Sequence, residues 1–414
     1  MKPFFDLISA DEAYERIGGF DPLAIEEVST RTSLGRVIAE QVHAADDIPH
    51  FERSNMDGFA VRAGDTASAS ESQSVLLEVT GQVAMGEPAA CSVAKGAAVR
   101  VSTGAMMPEG ADAVVIVEKT EDTGDGSIAI VEPAVRGQNI VTIGEDMKSG
   151  DLVFNPGRRI KGSDVGVLTG VGLSRVKAYR VPRVGIMATG DEIVEPEDEM
   201  GPGQVRNVNQ YLLNALATRL GVIVNDYGVV GDEAGRLSDT LTRAADENDV
   251  VFISGGSSKG TKDLTLSAIK SLGDVDIIFH GVAIAPGKPT ILARAGDTAI
   301  MGLPGNPAAA AVVFSLFGSA LIGVLGGERL DHLLITRPRV RARVTRRIHS
   351  SLGREDYLRA RLERAEDGGL PYVHIVPGKS VAISTLAHAD GLLRIPLQTE
   401  GLDEGTEADV ILFL

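Results

Sequence analysis

The chain has 414 residues, 43% of them hydrophobic and 23% charged, with 57 acids against 40 bases and a net charge of −17. At roughly 150 residues per domain, this length excludes a single core and predicts two to four domains, while the acidic balance excludes a general phosphate-backbone binder, which needs a basic surface, so no nucleic-acid partner is expected. The only cysteine, Cys91, excludes an internal disulfide and a multi-thiolate zinc site and fits a reducing compartment.

The N-terminal run MKPFFDLISADEAYERI carries acids and lacks a cleavable apolar stretch, so no signal peptide is read and the cytoplasm is the expected location. Residues 65–74 (DTASASESQS) are poor in hydrophobics and read as a mobile loop. Residues 75–141 are rich in Val, Thr and Gly without a helical pattern, which predicts a β-rich module. From 183 onward the texture alternates. Residues 184–188 (VGIMA) read as a buried strand, 208–220 as an amphipathic helix stopped by Gly221, and 222–230 as extended. A helix follows over 233–246, with Leu237, Leu241 and Ala244 on one face. Residues 249–254 form a strand and 264–272 a helix, and strands IIFHGVAI and DTAIMG come next. Strands alternating with helices predict an open, mostly parallel α/β sheet.

Residues 307–327 (PAAAAVVFSLFGSALIGVLGG) are uncharged and near the length of a bilayer span. Their Ala and Gly content, the preceding LPGNP turn and the lack of a basic flank favour a buried core helix, and no membrane is expected. Beyond it PRVRARVTRRI alternates as an edge-type strand, and the last residues read as strands and turns. Domain boundaries are placed near Val181 and Gly327.

Ligands of open α/β sheets bind at the carboxyl ends of strands, beside a topological switch point. Three polar or glycine-rich loops fall there: Thr189-Gly190-Asp191-Glu192, Ser254-Gly255-Gly256-Ser257-Ser258-Lys259-Gly260, and Gly302-Leu303-Pro304-Gly305-Asn306-Pro307. The second presents N–H groups, hydroxyls and Lys259 to a phosphate, although a plain tight turn explains it equally well. Asp191 and Glu192 make sense beside a phosphate if Mg2+ bridges them; a solvated acidic loop, with Glu195, Glu197, Asp198 and Glu199, is the alternative. Asp263 is explained as readily by a helix N-cap. In the preceding part Asp57-Gly58, Thr103-Gly104 and the Glu145-Asp146 segment offer polar groups beside glycines, where a turn is the competing explanation. The seven histidines show no zinc-ligand spacing.

The ordered motifs SNMDGFAV, VSTGAMMPEGADAVV, GEDMKSGD, TGDEI, SGGSSKG followed by Asp263, APGKP and GLPGNPAAA, with GREDYLRARL near the end, resemble the MoeA-type molybdopterin molybdenumtransferases, which include the E domain of gephyrin. The likeness spans nearly the whole chain. It implies a homodimer of four-domain subunits: a linking domain (1–26 and 141–180), a β-rich domain (27–140), an α/β molybdopterin-binding domain (181–327) and a C-terminal β-barrel (328–414). It also implies insertion of molybdate into adenylylated molybdopterin with release of AMP, Mg2+ as cofactor, and a molybdopterin adenylyltransferase as upstream partner. Carried over by motif, the site residues are Asp57, Thr103, Asp146, Glu192 and Asp263. Gly190, Asp191, Asp232, Ser254, Gly255, Gly256, Ser257, Lys259, Lys288, Pro304, Gly305, Asn306 and Pro307 would bind substrate, and Asp191 and Glu192 the metal. The cleft would lie between the α/β domain of one subunit and the β-rich domain of the other.

One departure stands out. Family members often carry lysines at the positions of Gly281 and Ala285, so this chain is expected to bind the oxyanion more weakly or to use Lys259, Lys262 or Lys288. A non-catalytic molybdopterin-binding scaffold, a variant for tungstate, and adenylyl transfer by the α/β domain are the alternatives.

Overall fold

The computed structural model describes residues 7–255, 261–366 and 368–413, with backbone alone at 261–263. Its centre is a six-stranded sheet in the order Ile223–Val230, Arg183–Thr189, Val250–Gly255, Thr298–Leu303, Ile291–Ala295, Val275–His280. The first four strands are parallel, and Ile291–Ala295 runs antiparallel to both its neighbours. Each central strand sends alternate side chains to opposite faces. Ile186, Phe252 and Met301 pack under the helices Ala10–Ile17, Asn209–Arg219 and Pro307–Leu325, whereas Met187, Ile253 and Ile300 pack under Ala234–Glu247 and Thr261–Lys270.

The predicted helices hold to within one to three residues at their ends. Leu237, Leu241 and Ala244 are the buried positions of Ala234–Glu247, and Gly221, at a φ of +73°, ends the helix before it. The apolar segment Pro307–Leu325 is a helix 89% buried inside the protein, relaxed at Phe314–Gly318 into a π-helical turn. Several readings differ from the structure. Ile291–Ala295 is a strand that the sequence did not announce. The run IIFHGVAI is not one strand: it breaks at Gly281, whose φ is +110°, and Ile284–Ala285 leaves the sheet to pair with Glu355–Asp356. The start of the 65–74 run is anchored, because Thr66 is fully buried, its hydroxyl donates to Ala63 O and accepts Ala134 N–H, and Asp65 takes Gly96 N–H, whereas residues 70–74 are exposed.

The β-rich part is a six-stranded mixed sheet within 58–130. The linking part is built from short antiparallel pairs, Ile25–Ser29 with Arg175–Tyr179, Val42–His43 with Leu152–Phe154 and Arg53–Ser54 with Ile140–Val141. The helix Ala10–Ile17 does not belong with it. A capping box between Ser9 and Glu12 starts that helix, and Ala13, Tyr14 and Ile17 pack on the α/β core, where the Tyr14 and Phe317 rings stand 5.0 Å apart.

After Gly327 five strands close into a barrel, because Glu355–Glu363 pairs with both Tyr372–Ile375 and Gly391–Ile395. Arg339–Val344 is therefore an interior staves' member, flanked by Tyr372–Ile375 and Glu407–Leu412; its alternation records the inside and outside of a barrel and not an edge. Buried Glu355, held bidentately by Arg394 at 2.6 and 3.0 Å, seals the seam where the barrel meets Ile284–Ala285.

Candidate functional site

The chain leaves Arg183–Thr189 for one neighbouring strand through Asn209–Arg219, then crosses back through Ala234–Glu247 to the other neighbour, so the switch point lies between Arg183–Thr189 and Val250–Gly255. Register aligns the strand ends there: Thr189 pairs with Val230 and with Gly255, and Ser254 with Leu303. The loops carrying Gly190, Asp191, Glu192, Asp232, Ser254, Gly255, Pro304 and Gly305 thus emerge side by side. Gly255 is required by closeness: a Cβ there would lie 2.9 Å from Thr189 Oγ1 and 3.2 Å from Thr265 Oγ1. Gly256, Ser257 and Lys259, and the side chains of Lys262 and Asp263, lie outside the described residues.

The acidic side of this edge is held together by backbone. Asp191 Oδ1 accepts the N–H of Asp232 at 2.9 Å. Exposed Glu192 folds back over Gly190, with its carboxylate oxygens 2.8 and 3.1 Å from where a Cβ would stand. Among the described residues Asp232 Oδ1 is buried with no partner, and burial, then the charges of Asp191 and Glu192, push its pKa above the ordinary aspartate value. A raised carboxyl pKa favours the fold at low pH, and that contribution is lost as pH rises through the folded-state value. Asp232→Asn is therefore expected to raise Tm at pH 7, with the gain shrinking as pH falls toward about 4, the unfolded aspartate value; thermal melts across that range check it. No gain at neutral pH would mean the three carboxylates do not repel.

On the opposite side a cavity of about 540 Å³ opens between the third loop and the barrel. Lys288, Pro304 and Asn306 line it, together with Ala285, Arg354 and Ser380. Pro307 is the first residue of the helix behind it, and Asn306 Nδ2 donates to Ser380 Oγ at 3.0 Å. Arg354 is paired with Asp356 at 3.0 Å.

Sequence reasoning missed Ser380, Arg354 and two further groups. Arg359, 7% exposed, donates to Gly378 O at 2.5 Å; it has no carboxylate partner among the described residues, its Nε has no partner, and burial lowers its pKa. Asn209 Nδ2 donates to Ser254 Oγ and to Gly305 O. For Arg359, period-two alternation along GREDYLRARL was the available signal; for Asn209, a polar residue at a helix start just beyond a strand-end loop.

Asp57 and Thr103 come together in the β-rich sheet, Asp57 Oδ1 accepting Thr103 N–H at 2.7 Å, and both are exposed. Gly58 must be glycine, since a Cβ would stand 2.1 Å from Val115 O. Asp146 is exposed in the linking part, its N–H bonded to Ile48 O. Among the described residues no hydrogen bond or ion pair joins these three to the strand-end loops, and no three His, Cys, Asp or Glu side chains are gathered so as to hold a metal ion by themselves.

Three family models cover the chain in order: the MoeA N-terminal region (domains I and II) over residues 8–172, a probable molybdopterin binding domain over 185–323, and the MoeA C-terminal region (domain IV) over 341–413. The molybdopterin molybdenumtransferase of Staphylococcus epidermidis is 33% identical across 92% of this chain and 89% of its own length. That of Bacillus subtilis is also 33% identical, across 98% and 94%. The crystal structure of the molybdopterin biosynthesis moeA protein from Pyrococcus horikoshii OT3 superposes with a TM-score of 0.83 at 30% identity, covering 99% of this chain and 100% of that one. With the same domains in the same order and full-length likeness in both sequence and fold, the chain belongs to the MoeA family of molybdopterin molybdenumtransferases.

Proposed function

We propose that this protein inserts molybdate into adenylylated molybdopterin, releasing AMP and forming the molybdenum cofactor. One observation carries the reading: along the carboxyl edge of the parallel strands, the acidic loops after Thr189 and Val230 emerge beside the loop after Leu303, which opens into a cavity lined by Lys288 and Arg354. By its sequence, the glycine- and serine-rich loop that begins at Ser254 suits the phosphates of the nucleotide. Lys288 and Arg354 line the cavity, and these cations suit a tetrahedral oxyanion.

Asp191, Glu192 and Asp232 fit Mg2+ as partial ligands. The unpartnered, buried Asp232 Oδ1 and the mutual repulsion of the three groups are what a divalent cation would relieve, with phosphate oxygens completing its shell. Mg2+ bound there supplies counter-charge to the phosphoanhydride.

Because Asp57, Thr103 and Asp146 make no bond to the strand-end loops of their own chain among the described residues, this reading brings them to the site from a second copy. An apolar groove of about 300 Å³ lined by Leu216, Phe314, Leu316 and Phe413 supports homodimer formation. The adenylylated substrate has to be supplied by a molybdopterin adenylyltransferase, and a cytoplasmic setting belongs to the same proposal. No feature of the fold favours a scaffold without turnover.

The test is release of AMP from adenylylated molybdopterin. It should require molybdate and yield one AMP per cofactor formed; release independent of molybdate, or none with molybdate and Mg2+ saturating, overturns the reading. The same assay examines the missing lysines. Ala285 lines the cavity, and an ammonium about 4 Å from an oxyanion contributes roughly 4 kcal/mol at an effective dielectric near 20, before desolvation is subtracted. Ala285→Lys is expected to lower the molybdate concentration for half-maximal release several-fold, and Lys288→Ala to raise it. Gly281 is a poor site for the same change, because its φ of +110° strains any side chain. An unchanged half-saturation in Ala285→Lys would make this departure functionally silent.

A further inference from the structure

Asn209 opens the helix Asn209–Arg219, and no step proposed above employs it. Its Nδ2 donates to Ser254 Oγ at 2.5 Å and to the carbonyl of Gly305 at 2.7 Å, so one amide ties the second strand-end loop to the third. Its orientation is dictated chemically: Gly305 O has only lone pairs to offer, so the NH2 end must face it. The other end, Oδ1, is left buried without a partner among the described residues, which is unfavourable in itself and marks a side chain held in place by its two bonds.

The link continues past Gly305. The next residue, Asn306, donates from Nδ2 to Ser380 Oγ at 3.0 Å, and Ser380 O accepts Ala308 N–H at 3.1 Å. Pro304 is buried and Pro307 is the first residue of its helix, so the loop between them has little freedom to absorb a displacement. A continuous path of bonds therefore runs from the switch point, through Ser254, Asn209, Gly305, Asn306 and Ser380, to the wall of the cavity against the barrel.

We propose that Asn209 is a positioning residue that couples the two halves of the site, so that nucleotide binding at the switch-point loops and oxyanion binding in the barrel-facing cavity strengthen one another. The inference rests on the function proposed above. Its physical content is a shared loop geometry: a ligand that fixes Ser254 also fixes Gly305 and Asn306, and the cavity wall is then already formed for the second ligand. Such coupling is reciprocal by thermodynamic necessity.

The experiment titrates the intact protein calorimetrically with AMP and with molybdate, each alone and each with the other saturating. In the unmodified protein each ligand should tighten the other by about tenfold, by the same factor from either side. In Asn209→Ala that factor should fall to near one, while the Kd of each ligand alone stays within about threefold. Asn209→Asp keeps the shape but sets an acceptor against Gly305 O, and is expected to lose the coupling equally; it serves if the alanine variant does not fold. A residue that only stabilised the fold would weaken both single-ligand affinities and leave the factor intact. Coupling retained in the folded variants, or absent in the unmodified protein although both ligands bind, overturns the relay and leaves the function standing. Failure of the unmodified protein to bind molybdate at all removes that function, and the relay with it.

Discussion

Glu192→Gln should reduce cofactor formation by ~100-fold or more, the scale on which removal of a single electrostatic contact to the reacting group acts, and should not lower Tm; removing one of the charges that repel Asp232 is expected to raise it slightly at pH 7. The side chain is exposed, and its carboxylate makes no hydrogen bond or ion pair among the described residues; what the fold takes from this residue is its backbone carbonyl, which accepts Val205 N–H at 2.9 Å. Gln keeps the shape over Gly190 and removes one charge from the acidic edge, so a loss of turnover without a loss of stability isolates the charge. AMP release at matched protein and Mg2+ concentrations, with a melt on the same sample, is the measurement. Turnover at the unmodified rate would take Glu192 out of the chemistry and, with it, the Mg2+ assignment at that loop.

Asp57→Asn is expected to be as severe, for a different reason. Asn in the same place can still offer an oxygen to Thr103 N–H, so the local turn survives and only the charge presented by the β-rich domain disappears. If the site is shared between two copies, mixing Asp57→Asn with Glu192→Gln restores activity. In each mixed dimer one of the two sites receives both intact residues; random pairing makes half the dimers mixed, so about a quarter of the unmodified activity returns. Mixed dimers verified by differential tagging that show no recovery would place Asp57 and Glu192 in one chain's site, or Asp57 in none.

What the sequence determined by itself is the material of the α/β domain. Hydrophobic spacing is local, and a run such as Leu237, Leu241 and Ala244 reads as one helix face regardless of what it packs on. The three strand-end loops were legible for the same reason: a glycine-rich or acidic stretch directly after a buried strand has to emerge at the carboxyl edge of a parallel sheet. Tertiary structure decided the rest. The apolar run IIFHGVAI carries no mark showing that its last residues pair with a barrel strand about 70 residues further on; the positive φ at Gly281 is consistent with many turns, and only the partner strand Glu355–Glu363 fixes this one. Asn209 bonds to groups 45 and 96 residues away, and Arg359 reaches the carbonyl of Gly378 inside a barrel whose closure depends on non-local pairing. A polar side chain is informative in sequence only when its partner is near in sequence. Here the decisive partners are brought in by packing, and packing sums many weak contacts over distances that local periodicity does not encode.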